Sequence, residues 1–351
     1  MFIPEDFFAD NTFFIPNGVS KNYGKYSLCD LQGDTEASMR NWLETQIQWE
    51  DFVQMREFGV NFLRLPLGYW NVVDMQGNPN GPSFDAERMG RLNSIMPSFT
   101  YYREYIDKIM NWADQNGIWV LLDLHGAPGS QNGDSHTGCT VSGQFWDTDW
   151  NKLWTKNATL ALAEICRAHN NCYGIELLNE PGNDLSRDSL IAYYQDVMRS
   201  VRDTGLDVPF VIMDWNFQWW HYQNKWFNLF PPSEYGQVLF DTHIYDFKDT
   251  VWEEEADWDQ TQWPPVKTIA NEGVPIMIGE YTLSLSQDLP YSEAQGWAQY
   301  VQDRLHQNGA MGSAMWQWKS SERQFWSMKW LGTEGGVNWA EVYGAQAEFL
   351  Q

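Results

Sequence analysis

The stretch YGIELLNEP, residues 173–181, decides the fold. Its first six residues are mostly apolar and bounded by turn-forming residues, as in a strand that is buried on both faces of a parallel sheet. Pro181 cannot donate to a sheet, so the strand has to end near Asn179 and Glu180. In barrels and open α/β sheets, catalytic side chains collect at the carboxyl ends of the strands. The stretch therefore predicts a parallel α/β fold with Asn179 and Glu180 at its functional edge.

A second stretch has the same pattern. VPIMIGEY, residues 274–281, is again an apolar run, and it ends with Glu280 next to a tyrosine. A single glutamate after a strand is more often an exposed turn residue, but two of them can face each other across one site. Paired carboxyl groups are what the hydrolysis of a glycosidic bond requires.

Strand-like runs alternate with helical or loop stretches along the chain. Eight runs have strand character, and the first is Phe13 to Val19, which overlaps an irregular segment at 1–14. Trp42 to Phe58 has the apolar spacing of one helix, whereas residues 249–263 are acidic and Trp-rich and are interpreted as a solvated loop. The alternation over residues 1–351 predicts an α/β fold, a single-domain (β/α)8 TIM barrel.

Polar residues interrupt the apolar pattern at the carboxyl ends of the predicted strands. They are Arg64, His125, Glu180, His243, Glu280 and Trp318. Because parallel strands present their carboxyl ends to one side, we expect these residues to share one site. Arg64 lies inside an apolar run, and a buried arginine needs a carboxylate partner.

Charge and composition narrow the class of partner. The formal net charge of −25 argues against nucleic acid and anionic membranes, since both are bound by basic patches. The chain has no apolar run long enough to span a bilayer. The 21 Trp, 16 Tyr and 19 Phe residues suit a protein that stacks the apolar faces of sugar rings. We expect a monomer that binds a neutral carbohydrate and uses no cofactor.

The cysteines and the chain start bear on location. The first residues, MFIPEDFFAD, lack the basic start and long apolar core of a signal peptide, and the Asn157-Ala158-Thr159 sequon favours secretion. An extracellular protein is therefore expected. Cys166 and Cys172 are close enough to bridge a helix end to the next strand, but two buried thiols fit equally well. No CxxC pair occurs, which argues against a zinc ribbon.

Several of these stretches resemble glycoside hydrolase family 5, a family of retaining (β/α)8-barrel enzymes. The similarity is to its fungal exo-β-1,3-glucanase branch, in NFLRLPLGYW (61–70), LDLHGAPGSQNG (122–133), GIELLNEP (174–181) and WQWKSSE (316–322). The resemblance implies that Glu180 is the acid/base and Glu280 the nucleophile. It implies that Asn179 holds the sugar 2-hydroxyl, Arg64 and Tyr245 position Glu280, His125 and His243 line the sugar subsite, and Trp318 is its stacking platform.

The two glutamates need different protonation states. Arg64 near Glu280 is expected to lower the pKa of that carboxyl, so that it is charged and can attack the anomeric carbon. Glu180, without a cation of its own, is expected to keep its proton and to donate it to the leaving oxygen.

Substrate and mode of action remain open. Residues 17–31 read NGVSKNYGKYSLCDL, without the glutamate by which the branch closes the non-reducing end, so both exo and endo action are consistent. β-1,3-Glucan fits the resemblance; β-1,4-glucan, as in an endo-β-1,4-glucanase, mixed-linkage glucan and mannan are alternatives, as is a non-catalytic carbohydrate-binding barrel. No metal is expected, because the HxH pair of metal-dependent barrel hydrolases is absent. The lack of a GxSxG motif argues against a serine hydrolase.

Overall fold

Seven parallel strands form one sheet in the computed structural model, which describes residues 35–73, 99–138, 146–182, 185–213, 228–286, 288–320 and 324–344. The strands are β1 Phe62–Gly68, β2 Trp119–Gly126, β3 Cys172–Glu176, β4 Phe210–Ile212, β5 Val238–Ile244, β6 Ile276–Tyr281 and β7 Ser313–Met315. Each pairs with the next in sequence order, and β7 comes back beside β1. The sheet is a nearly closed barrel, which confirms the predicted TIM-barrel class. The strand predicted at 13–19 and the irregular segment at 1–14 lie outside the described residues.

Helices connect the strands on the outside of the barrel. They are α1 Thr35–Gln46, α2 Trp49–Glu57, α3 Tyr69–Val72, α4 Phe99–Gln115, α5 Asp149–Ala168, α6 Arg187–Asp203, α7 Pro232–Tyr235, α8 Val251–Thr261, α9 Trp263–Asn271, α10 Tyr291–Gln307, α11 Met328–Thr333 and α12 Trp339–Gly344. Short 3₁₀ turns occur at Ser135–Thr137 and Gln324–Trp326. Parallel strands require such crossover connections.

Two local predictions are wrong, and capping explains both. The single helix predicted from Trp42 to Phe58 is two helices, because the Asp51 carboxylate accepts the Gln48 backbone N–H at 2.8 Å and starts α2. The stretch 249–263 is mostly helical rather than a loop. Thr250 caps α8, whose residues Val251, Glu254 and Trp258 are buried at helical spacing.

The barrel interior has an apolar layer below a polar one. Leu121, Val211, Leu239 and Met277 form a small buried cluster with Phe62 and Tyr173 packed against it. Because side chains alternate along a strand, residues two positions further on face the same interior. Arg64, Asp123 and Asp241 lie two positions beyond Phe62, Leu121 and Leu239. Glu176 pairs with Asp123 across β2 and β3, and these four residues form a buried polar layer. The larger apolar core lies between the strands and the helices.

A disulfide joins the end of α5 to the start of β3. It links Cys166 to Cys172, whose Cα atoms are 5.2 Å apart, so the structure selects the bridge over two free thiols. Cys29 and Cys139 lie outside the described residues. Within the described ranges, we find no helix with the length and apolar character needed to cross a bilayer.

Candidate active site

The predicted polar residues meet at the carboxyl end of the barrel, with one exception treated below. Arg64 lies on β1, His125 on β2, His243 on β5 and Glu280 on β6, while Asn179 and Glu180 follow β3 and Tyr245 follows β5. The strands are staggered so that His243 pairs with Glu280 across β5 and β6. Long-range contacts thus gather residues from five parts of the chain.

Arg64 is the cation at the centre of this cluster. Its Nε donates to Glu176 Oε2 at 2.6 Å and its Nη2 to Glu176 Oε1 at 2.9 Å. The same Nη2 donates to Asn179 Oδ1 at 2.8 Å, and Nη1 donates to Glu280 Oε1 at 2.7 Å. One guanidinium therefore fixes the amide of Asn179 and the carboxylate of Glu280 relative to each other. The two-point contact with Glu176 orients the planar fork.

Glu280 is held by a donor at each oxygen. Besides Arg64 at Oε1, the Tyr245 hydroxyl donates to Oε2 at 2.8 Å, and His243 Nδ1 lies 3.6 Å from the same oxygen. Burial and the neighbouring charge of Glu280 raise the pKa of Tyr245 well above its usual range, so Tyr245 remains a phenol donor. The two oxygens of Glu280 are therefore held in a fixed orientation by separate donors.

Glu180 sits in a turn with an unusual backbone. Its φ of 39° lies in the left-handed region, and its carbonyl oxygen accepts a bond from Asn132 Nδ2 at 3.0 Å. Its side chain is 29% exposed, so a ligand can reach it. The loop before Glu180 is tied to β2 because Gln131 Nε2 donates to the carbonyl oxygens of both His125 and Asn179, at 2.8 and 3.0 Å.

The prediction that Glu180 has no cation of its own is wrong. His243 Nδ1 lies 2.7 Å from Glu180 Oε1, and His136 Nε2 lies 3.8 Å from Oε2. Burial by itself would raise the pKa of Glu180, but the hydrogen bond and charge of His243, together with His136 and Arg64, lower it to about 2. These contacts favour an ionised Glu180 beside a protonated His243.

The two glutamates lie close to each other. One carboxyl oxygen of Glu180, one of Glu280 and a ring nitrogen of His243 all lie within 4.8 Å of one another. Retaining glycosidases place their two carboxyl groups roughly 5–5.5 Å apart, whereas inverting enzymes need more room for a water molecule. The spacing fits the retaining geometry.

Trp316, rather than Trp318, lies in the barrel mouth. The Trp316 ring stacks on the ring of His125, with centroids 5.4 Å apart and planes 7° apart. Trp318 instead donates from Nε1 to Asp51 at 3.1 Å and packs against Phe58, next to α2 outside the barrel. Among the described residues, Trp318 has no recorded contact with the cluster. The sequence does not show which of these two tryptophans, both near the end of β7, faces the barrel mouth.

Sequence reasoning also missed the carboxylates of the polar layer. Glu176, Asp123 and Asp241 each occur inside an apolar strand run, where an acidic residue is as unexpected as Arg64, and that signal could have identified them. Burial raises the pKa of Glu176 to about 7 despite its contact with Arg64. Burial likewise raises the pKa of Asp123 well above its usual range, and Asp123 Oδ2 lies 2.7 Å from His125 Nδ1.

Two sets of three side chains present atoms at a spacing that a metal ion could use: Glu176, Asp241 and His243, and Glu180, His243 and Glu280. Arg64 already binds both oxygens of Glu176 and one of Glu280. A guanidinium thus supplies the positive charge in the cluster, and we assign no metal to it. That the protein holds no metal stays a prediction.

Curated relatives share parts of this sequence. A glucan 1,3-beta-glucosidase of Blumeria graminis is 36% identical over 63% of this chain and 47% of its own length. A probable glucan 1,3-beta-glucosidase A of Emericella nidulans is 28% identical over 82% of this chain and 67% of its own. The chain thus spans about half to two thirds of the length of these relatives.

A solved structure shares the fold. The rutinosidase from Aspergillus niger superposes with a TM-score of 0.68 over 85% of this chain and 84% of the other, at 16% sequence identity. The family model described as cellulase (glycosyl hydrolase family 5) matches residues 22–322, which include every residue of the site. The chain belongs to glycosyl hydrolase family 5.

Proposed function

We propose that the protein is a retaining glycosidase that hydrolyses β-1,3-linked glucan by double displacement. The observation that carries the proposal is the pair of carboxyl groups, Glu180 and Glu280, which lie within 4.8 Å of each other in unlike surroundings. Their spacing leaves no room for a water molecule between sugar and base, as inversion would need, and brings one of them within reach of the anomeric carbon.

Glu280 is the nucleophile in this proposal. Arg64 and Tyr245 each donate a hydrogen bond to one of its oxygens, which fixes the orientation of the carboxyl group. It attacks the anomeric carbon and forms a glycosyl ester while Glu180 protonates the departing oxygen. Glu180 then takes a proton from the water that releases the sugar.

Asn179, His125 and Trp316 form the sugar subsite. Arg64 holds Asn179 Oδ1, whereas the buried Asn179 Nδ2 has no hydrogen-bond partner within the described part of the chain. A buried amide hydrogen without a partner is costly, and a sugar 2-hydroxyl would satisfy it. The Trp316 ring, supported by His125, offers a flat apolar face to the sugar.

The names of the relatives support a β-1,3 linkage. The Blumeria and Emericella proteins are named glucan 1,3-beta-glucosidases, so β-1,3-glucan is the substrate that we propose for this chain. The disulfide between Cys166 and Cys172 supports an extracellular protein, because such bridges persist in oxidising compartments. We further propose that it acts as a monomer.

A reducing-sugar assay on laminarin, mixed-linkage β-glucan, carboxymethylcellulose and mannan tests the substrate. We expect the highest kcat/KM on laminarin, and chromatography of the products distinguishes glucose release from a ladder of oligomers. Higher activity on cellulose or mannan would refute the β-1,3 assignment. Binding of laminarin in calorimetry without hydrolysis of any glycan would refute the enzyme and favour a binding barrel.

A further inference from the structure

His243 lies between carboxyl groups that face both of its ring nitrogens. It is 1% exposed, with Nδ1 2.7 Å from Glu180 Oε1 and Nε2 3.5 Å from Asp241 Oδ2. Neither Nε2 nor Asp241 Oδ2 has a hydrogen-bond partner among the residues that the structure describes. Asp241 Oδ2 also lies 3.9 Å from Arg64 Nε. A buried acceptor and a buried ring nitrogen without hydrogen-bond partners favour an electrostatic contact between the two.

The backbone of β6 fixes the orientation of Asp241. Asp241 Oδ1 accepts the backbone N–H of Gly279. A Cβ at position 279 would lie 1.8 Å from Asp241 Oδ2, so only glycine permits this close approach. The carboxylate is therefore clamped with one oxygen on the β6 backbone and the other directed to His243.

The charges around His243 favour its protonated form. The ionisable groups facing it from the surrounding strands and their ends are Arg64, Asp123, His125, Glu176, Glu180 and Glu280, in addition to Asp241 on its own strand. Four buried carboxyl groups, those of Asp123, Glu176, Asp241 and Glu280, share one guanidinium. So much buried negative charge is stable only if protons are retained.

The pKa values of His243 and His125 shift in opposite directions. Burial alone would lower the pKa of His243, but Glu280, Asp241 and Glu180 raise it well above its usual range. Burial lowers the pKa of His125 well below its usual range, so the second histidine of the mouth stays neutral. A charged His243 beside an ionised Glu180 leaves the acid/base without the proton that its first step needs.

We propose that Asp241 and His243 form a buried proton relay to Glu180, in which His243 stores the proton that Glu180 delivers to the leaving oxygen. This inference rests on the proposed function. It makes His243 a proton carrier, and it makes Asp241 a positioning residue that acts through His243.

The proton balance closes over one turnover. In the first half, the proton on His243 Nδ1 passes to the Glu180 carboxylate and from there to the glycosidic oxygen, as the bond from that oxygen to the anomeric carbon breaks and Glu280 forms its ester bond. In the second half, water attacks the anomeric carbon and gives a proton to Glu180, and the ester bond to Glu280 breaks. Glu180 returns this proton to His243 Nδ1, which restores the resting state.

Asp241→Asn tests the relay. The amide oxygen can still accept the Gly279 N–H, but the amide NH₂ then faces His243 Nε2 and forces it to be an acceptor. His243 is then neutral, and it cannot give its one remaining proton, on Nδ1, to Glu180 without becoming an imidazolate. We measure kcat/KM on two β-laminaribiosides with the same sugar, one with a phenyl and one with a 2,4-dinitrophenyl leaving group. General acid catalysis supplies about 100-fold or more, and only the phenyl group needs it.

We expect kcat/KM of Asp241→Asn to fall at least about tenfold on the phenyl substrate and to change less than about twofold on the dinitrophenyl substrate. The basic limb of the pH profile should move to lower pH. Equal losses on both substrates would mean a structural role and overturn the relay, and so would an unchanged phenyl rate.

Asp123→Asn is the matched control. Asp123 precedes His125 by two residues on β2, just as Asp241 precedes His243 on β5, and it belongs to the same buried layer. Asp123 Oδ2 contacts His125 rather than Glu180. We expect any loss in this variant to be the same for both leaving groups. A loss confined to the phenyl substrate would overturn the assignment to Asp241.

A second measurement needs no active variant. In protein labelled with ¹⁵N-histidine, long-range ¹H–¹⁵N spectra distinguish a ring with two protonated nitrogens from a neutral ring, and the signal missing in His243→Gln identifies His243. We expect a doubly protonated ring at pH 6, and a neutral ring at that pH overturns the relay. A wild-type protein that cleaves neither laminaribioside would instead refute the proposed function.

Discussion

The ring of Trp316 lies parallel to the ring of His125, 7° apart in plane and 5.4 Å between centroids. This pair joins the residue that follows β7 to the end of β2 at the barrel mouth. His125 is itself fixed by Asp123, at 2.7 Å. The polar layer of the barrel therefore fixes the position of the His125 ring on which Trp316 stacks.

Trp316→Ala should lower kcat/KM on laminarin by about tenfold or more, because tenfold corresponds to about 1.4 kcal/mol and an aromatic platform contributes about that much. Trp318 is half-buried, so Trp318→Ala should lower the free energy of unfolding by about 1–3 kcal/mol and leave KM unchanged. Kinetics and urea denaturation of both variants check this. A loss of kcat/KM in Trp318→Ala, with only a loss of stability in Trp316→Ala, would instead identify Trp318 as the stacking platform.

Glu280→Ala should reduce turnover by a factor of about 10⁴ or more, since it removes the group that attacks the anomeric carbon. Added azide should restore turnover on the dinitrophenyl glycoside by taking the place of the carboxylate, and the product should be an α-glycosyl azide. Product analysis by NMR gives the configuration. Near-wild-type rates without azide would contradict the assignment of the nucleophile.

Stability should fall as pH rises from about 4.5 to about 7. The folded state holds the Glu176 proton up to about pH 7, whereas an ordinary glutamate loses it near 4.5. Between these values the folded state binds more protons than the unfolded state. The ionisation of Glu176 therefore lowers the free energy of unfolding by about 3 kcal/mol at pH 7 and above. Urea denaturation across pH 4.5–7.5 measures how the free energy of unfolding changes with pH, and Glu176→Gln should reduce this change.

Glu254→Gln is the control for this effect. Burial raises the pKa of Glu254 to about 7 as well, but Glu254 lies on α8, where it accepts the Lys248 backbone N–H at 2.7 Å. Glu254→Gln should reduce the decrease in the free energy of unfolding with pH without altering the pH profile of kcat/KM. Glu176→Gln should alter both. A free energy of unfolding of the wild-type protein that increases from pH 4.5 to pH 7.5 would contradict the raised pKa values of these glutamates.

The apolar pattern predicted most of the barrel because it is a local property. The runs that contain Arg64, Asp123 and Glu280 are strands in the structure, and their polar ends lie on one edge. The interpretation of the acidic stretch containing Trp258 as a loop is wrong, because this helix is stabilised by a cap and by burial of one face against helices α9 and α10. Composition alone does not reveal that face.

The sequence by itself determined the strand order of the barrel, the family and the placement of Glu180 and Glu280 at strand ends. The tertiary structure alone decided which groups meet. It paired Glu180 with His243, oriented Arg64 by Glu176 and placed Trp316 rather than Trp318 at the mouth. The physical reason is that periodicity sets which face of an element is buried, whereas a side chain's protonation and direction depend on neighbours that are distant in sequence.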